Sequence, residues 1–231
     1  MFRAYAKEWS PSLGRDMEIL RYGDAGLPIL AFPTSMGRFY QWEDFGLLEA
    51  LEDKIDNGWI QLFCVDSIDD ESWYATGKHP HDRVVRHYQY EGYIVGEVCS
   101  RLPGRPVTAG PSFGGLHAVL MAVRHPNAFN GFISLSGAFD TRRWLDGFHD
   151  DDVYYTNLVE FLPGLWDEAY LGPIRSMERK VIATGEGDPN VADSIKVGNM
   201  LNDKGLGVRL DVWSGWAHDW PYWEEMMRTY V

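Results

Sequence analysis

Residues 107–126, VTAGPSFGGLHAVLMAVRHP, join an apolar run to an amphipathic one through Gly110, Pro111, Ser112, Phe113, Gly114 and Gly115. An ordinary strand-to-helix connection needs one glycine or two. Here three crowd a single serine, in the pattern G-x-S-x-G. Chance would produce that pattern about 0.1 times in a chain with 24 glycines among 231 residues. Its setting sharpens the reading, because PVTAG reads as a strand and LHAVLMAVRH as a helix, with the serine at their junction. A backbone that turns so sharply lifts the serine hydroxyl clear of the sheet, and small residues on either side leave room for neighbouring backbone.

Working outward, the strand readings are 17–23, 28–33, 59–66, 106–110, 131–137, 180–187 and 207–214. Five of them are nearly continuous apolar runs, as strands covered on both faces require. Helical patterns separate most of them, notably 82–102, 113–125, 190–204 and 221–230. This alternation predicts an α/β fold with a mostly parallel central sheet and helices on both faces. Ligands of such sheets bind at the carboxyl ends of the strands. No repeat or linker divides the chain, so one domain over residues 1–231 is expected.

A serine hydroxyl is a weak nucleophile until a base takes its proton. Of the seven histidines, only His218, in WSGWAHDWPYW, follows the last strand in a loop that can reach back over the sheet. The base in turn needs a group that fixes its tautomer. The segment VIATGEGDPNVADS after the penultimate strand offers Asp188, with Asp193 and Glu186 as alternatives. Asp188 opens the turn before Pro189 and is preferred, although an acid there also suits an Asx turn. Two backbone N–H groups should face the developing oxyanion. One is that of Phe113; the other is expected from Ser35 or Met36 in TSMGRFYQW. Arg38, Tyr40 and Trp42 in the same loop are expected to contact substrate.

Composition narrows the function classes. A net charge of −13 and a pI near 4.9 leave no basic face for nucleic acid or anionic membranes. The N-terminus lacks the apolar core of a signal peptide, and no segment approaches the length of a membrane span. Cys64 and Cys99 form no CxxC, and two buried free thiols fit a reducing cytoplasm. The HPHD segment (His79, His81, Asp82) lacks a further ligand at fixed distance, so neither metal nor organic cofactor is expected.

The motifs GPSFGG, GxxD and AHDWPYW, in this order, resemble the putative-esterase family of α/β-hydrolases, as does SPSLGRDMEI near the N-terminus. That family includes S-formylglutathione hydrolase, feruloyl and enterobactin esterases, and the mycolyltransferases. The resemblance spans essentially the whole chain. It implies the α/β-hydrolase fold, Ser112 as nucleophile, His218 as base and an acid after VIATG, acting on a small-molecule carboxylic ester through an acyl-enzyme. Acyl transfer at the same site, or a non-catalytic binding protein on this fold, are the alternatives. A small cap-like insertion is expected at 141–178, between the strands 131–137 and 180–187, where seven aromatic residues fit either core or pocket. Homo-oligomerisation is left open.

Overall fold

Five short strands carry side chains that are buried almost without exception, and they build the centre of the molecule. The computed structural model describes residues 1–215 and 218–231. The described residues form one eight-stranded sheet: β1 (Arg3–Ser10), β2 (Arg15–Tyr22), β3 (Leu27–Ala31), β4 (Ile60–Val65), β5 (Val107–Pro111), β6 (Gly131–Leu135), β7 (Arg179–Gly185) and β8 (Arg209–Trp213). Their spatial order is β1-β2-β4-β3-β5-β6-β7-β8. The first two strands pair antiparallel, as do β2 and β4, and every later pairing is parallel. The expected α/β class with a mostly parallel sheet is therefore the observed one.

The helices are α1 (Gln41–Asp44), α2 (Leu47–Asp56), α3 (Pro80–Gly92), α4 (Phe113–Arg124), α5 (Asp151–Thr156), α6 (Leu158–Phe161), α7 (Glu168–Arg175), α8 (Val191–Asn202) and α9 (Trp220–Tyr230). Strand alternation divides the core in two. Ile29 and Ala31 of β3, Ile133 of β6 and Val181 of β7 pack with α2 and α9 on one face. Leu30, Phe132 and Ile182 point the other way, into a larger core with α3, α4 and the segment after β6. Burial on both faces explains why these strands lack alternation in sequence.

Three sequence expectations are corrected. The strand β1 was not anticipated, because RAYAKEWS mixes charge with apolar residues. It forms the sheet edge, where Tyr5 and Trp9 remain exposed and polar residues are tolerated. The single helix expected over 82–102 is three pieces: α3, a π-helical turn at Tyr93–Val98 and a 3₁₀ turn at Cys99–Arg101. Cys99 consequently is only half-buried, while Cys64 is fully buried; both are free. None of the described helices is long and apolar enough to cross a membrane.

A buried acid ties α3 to α4. The Glu91 carboxylate accepts from Arg124 Nε at 2.9 and 3.0 Å, lies 2.8 Å from His125 Nε2 and is 3.1 Å from His87 Nε2. Burial alone would raise its pKa, but the hydrogen bonds from both histidines and the Arg124 charge outweigh it and hold the carboxyl well below the ordinary range. A depressed folded-state pKa stabilises above the unfolded value of about 4.3, and that contribution fades as pH falls below it. Glu91→Gln should therefore cost about 3 kcal/mol at pH 7, or about 6–12 °C in Tm. Melting curves from pH 7 to 3 should show the gap from the parent closing below about pH 4. A gap independent of pH would contradict the ionic account.

Candidate active site

The junction of β5 and α4 has an unusual backbone. Ser112 lies at φ 54°, ψ −118°, a left-handed conformation that costs a non-glycine residue energy. The surrounding packing holds it there. The Ser112 N–H donates to Leu135 O at 2.7 Å, and Ser112 O accepts from Gly115 N at 3.0 Å. A Cβ at Gly110 would lie 2.4 Å from the Gly114 carbonyl carbon, and one at Gly114 only 2.5 Å from Pro33 O. Glycine is required at both positions because backbone, not a movable side chain, occupies the space.

Two loops converge on this serine from the carboxyl ends of β7 and β8. His218 Nε2 lies 2.9 Å from Ser112 Oγ, and His218 Nδ1 lies 3.0 Å from Asp188 Oδ2. Both distances are those of hydrogen bonds. Asp188 is 2% exposed, and its other oxygen accepts the Asn190 N–H at 2.7 Å. Burial opposes its charge, yet hydrogen bonds from His218, Ser136 and the Asn190 N–H hold its carboxyl below the usual range. Ser136 is itself oriented by Trp223, whose Nε1 donates to its hydroxyl at 3.0 Å. The Trp223 ring also meets His218 edge-on, with centroids 4.7 Å apart. In this arrangement a proton can leave Oγ for Nε2 while an ionised carboxylate fixes the opposite ring nitrogen.

The alternative acids lie elsewhere. Glu186 is exposed and accepts from Ser214 Oγ at 2.9 Å, beside the end of β8. Asp193, in the first turn of α8, pairs with Arg143. The remaining histidines are also engaged away from Ser112. His79 caps α3, His87 and His125 hold Glu91, His117 lies behind Phe113, and His149 is 3.2 Å from Glu160.

The loop after β3 approaches the junction from the other side. Met36 was expected as an oxyanion donor, and this is corrected: its N–H donates to Asp69 Oδ2 at 2.8 Å. The N–H groups of Ser35 and Phe113 have no acceptor among the described residues. Trp42 is also corrected, since it is 1% exposed and donates its indole N–H to Phe32 O at 2.9 Å as part of the core. Arg38 is tied to Asp66 and Glu18 at 2.7 and 2.6 Å, whereas Tyr40 is exposed. The segment 141–178 reaches the site through Trp144, whose ring lies 4.8 Å from that of Phe113.

Sequence reasoning missed Asp69, Tyr74, Ser136 and Trp223. Asp69 and Tyr74 follow β4 in VDSIDDESWY, at the carboxyl edge where α/β sheets bind ligands, and that placement was the available signal. In the HPHD segment, His81 joins Asp150 and Asp152 rather than Asp82. Their ligand atoms lie within 4.8 Å of one another, so among the described residues this group could hold a cation. His81 Nδ1 is already 2.7 Å from Asp150 Oδ2, and Asp150 also caps α5.

Residues 43–230 match the family described as "Putative esterase". No curated protein matches the chain in sequence. Its fold is similar to that of a ferulic acid esterase, at 14% identity and a TM-score of 0.77, covering 99% of this chain and 95% of that one. It is also similar to an S-formylglutathione hydrolase from Staphylococcus aureus, at 14% identity and a TM-score of 0.69, covering 99% and 94%. A third likeness is to an S-formylglutathione hydrolase from Agrobacterium tumefaciens, at 12% identity and a TM-score of 0.72, covering 98% and 92%.

The close approach at Gly114 is open to direct test. Gly114→Ala places a methyl group against Pro33 O and Phe32 O, at 2.5 and 2.7 Å before relaxation. Relief requires the β3 loop and the serine turn to separate. The expected outcome is a melting temperature lowered by several degrees and at least about tenfold slower phosphonylation by a fluorophosphonate probe. Parental reactivity in a folded Gly114→Ala protein would show that the two loops need not touch.

Proposed function

The chain belongs to the putative-esterase family and is a carboxylic ester hydrolase, and on that premise we propose that it cleaves its ester through Ser112, His218 and Asp188. Ser112 Oγ attacks the ester carbonyl as His218 Nε2 accepts its proton. Asp188 keeps the remaining ring proton on Nδ1 and stabilises the imidazolium that forms. The tetrahedral oxyanion is held by the N–H groups of Phe113 and Ser35. Its collapse expels the alcohol, which takes the proton from His218, and leaves an acyl-serine. Water activated by the same histidine then releases the acid.

The observation carrying this reading is the unbroken path from Ser112 Oγ through both nitrogens of His218 to Asp188, with contacts of 2.9 and 3.0 Å. Trp144, on the segment 141–178, packs edge-on against the buried ring of Phe113, the residue that follows Ser112, and an aromatic side chain at that point is compatible with aryl acyl groups. Feruloyl esters therefore join p-nitrophenyl esters as the first substrates to try.

Variant kinetics test the roles. Ser112→Ala should abolish turnover of every ester that the parent cleaves. Asp188→Asn should remain folded and lower kcat by about 10²- to 10⁴-fold, because an amide supports the wrong tautomer. Asp193→Asn should stay close to the parent in kcat and lose about 0.3–1 kcal/mol of stability at the helix N-terminus. An active Ser112→Ala protein would overturn the nucleophile. Exchanged outcomes for the two aspartates would move the acid to Asp193.

A further inference from the structure

The loop that supplies Ser35 is gripped at several points. Thr34 N donates to Gln41 Oε1 at 2.8 Å, Met36 N to Asp69 Oδ2 at 2.8 Å, and Gly37 N to Thr34 O at 2.9 Å. The N–H groups on both sides of Ser35 are thus consumed, and its own has no acceptor among the described residues. Met36 has φ 58°, a left-handed conformation without glycine's exemption, so something outside the loop has to stabilise it.

Asp69 is suited to do so. It is 2% exposed, in the turn that follows β4, and its second oxygen lies 3.7 Å from Nε2 of the buried His117. A carboxylate enclosed in this way cannot swing out to water, and its hydrogen bond to an N–H is charge-assisted. The same turn carries a second grip. Tyr74 N donates to Asp69 O at 2.9 Å, and Tyr74 OH donates to Ser35 Oγ at 2.8 Å. The Tyr74 ring then meets Phe113 edge-on at 5.5 Å. One short turn therefore touches the residues on both sides of the oxyanion site.

We infer that Asp69 is a positioning residue for the proposed esterase reaction: through the Met36 N–H it fixes the loop so that the Ser35 N–H faces the oxyanion, and Tyr74 assists through the Ser35 hydroxyl. The inference rests on the assignment of Ser112 as nucleophile. Neither Asp69 nor Tyr74 exchanges a proton with substrate. Their contribution is present in the transition state and absent from ground-state binding, because only the tetrahedral species carries the charge.

The test compares Asp69→Ala, Asp69→Asn and Tyr74→Phe with the parent and with Ser112→Ala, using a p-nitrophenyl ester that the parent cleaves. Two inhibitors are titrated alongside: an aryl trifluoromethyl ketone, which adds to a serine as a charged hemiketal, and the unreactive methyl ketone of the same shape. Asp69→Ala should lower kcat/KM by about 10- to 100-fold and weaken the trifluoromethyl ketone by the same factor, leaving the methyl ketone within about threefold. Asp69→Asn, whose amide oxygen still accepts, should recover only part-way, remaining about 3- to 10-fold below the parent, and Tyr74→Phe should fall in that same range. A merely structural role would move both ketones together. If Asp69→Ala does not fold, the other two variants decide. Parental kcat/KM and parental trifluoromethyl ketone affinity in the folded Asp69 variants overturn the inference. Activity surviving in Ser112→Ala would instead bring down the esterase mechanism beneath it.

Discussion

The left-handed backbone of Ser112 exists only because β5, α4 and the loop after β3 come closer together than side chains allow. Gly110 and Gly114 face backbone atoms at distances where no Cβ fits, and the Ser112 N–H is anchored to Leu135 O on the neighbouring strand. The strained residue is thereby over-determined by parallel pairing and helix packing. What the strain yields is position. The hydroxyl stands at the carboxyl edge of the sheet, where the loops after β7 and β8 arrive with Asp188 and His218.

The surrounding polar groups extend that constraint inward. Trp223 orients Ser136, Ser136 supports Asp188, and Asp188 holds His218, so α9 contributes to the site although it packs on the opposite face of the sheet from α4. On the other side, the turn of Asp69 and Tyr74 braces the Ser35 loop, and His117 stands behind Asp69. A core that must also orient a site carries buried polar groups such as Ser136, Asp188 and Asp69, whose hydrogen bonds fix the geometry of the residues beside them.

How much of this was legible in the sequence follows from locality. The serine turn could be read because its requirements, three glycines between a strand and a helix, lie within six residues. His218 and Asp188 could be read because a parallel sheet delivers every strand end to one edge, so chain order translates into place. The strand β1 was hidden because an edge strand is not obliged to alternate. The break in the helix after Gly92 left no mark in its apolar spacing. Trp42 sits two residues from the exposed Tyr40 yet points into the core, a distinction set by the entry angle of α1 and not by residue type. Asp69 and Ser136 act through contacts made across 33 and 52 residues of chain, separations at which no local pattern survives.

The central claim, that an acyl group passes through Ser112, is tested most directly by stopping the reaction while the group is attached. An aryl ester should be mixed with the protein, quenched in acid within milliseconds to seconds, and the protein digested and mapped by mass. The account predicts a burst of alcohol approaching one equivalent, with the acyl mass on the peptide containing Ser112. Steady ester cleavage with no burst, and with Ser112 unmodified at every quench time even when deacylation is slowed by an added bulky acyl group, would contradict it.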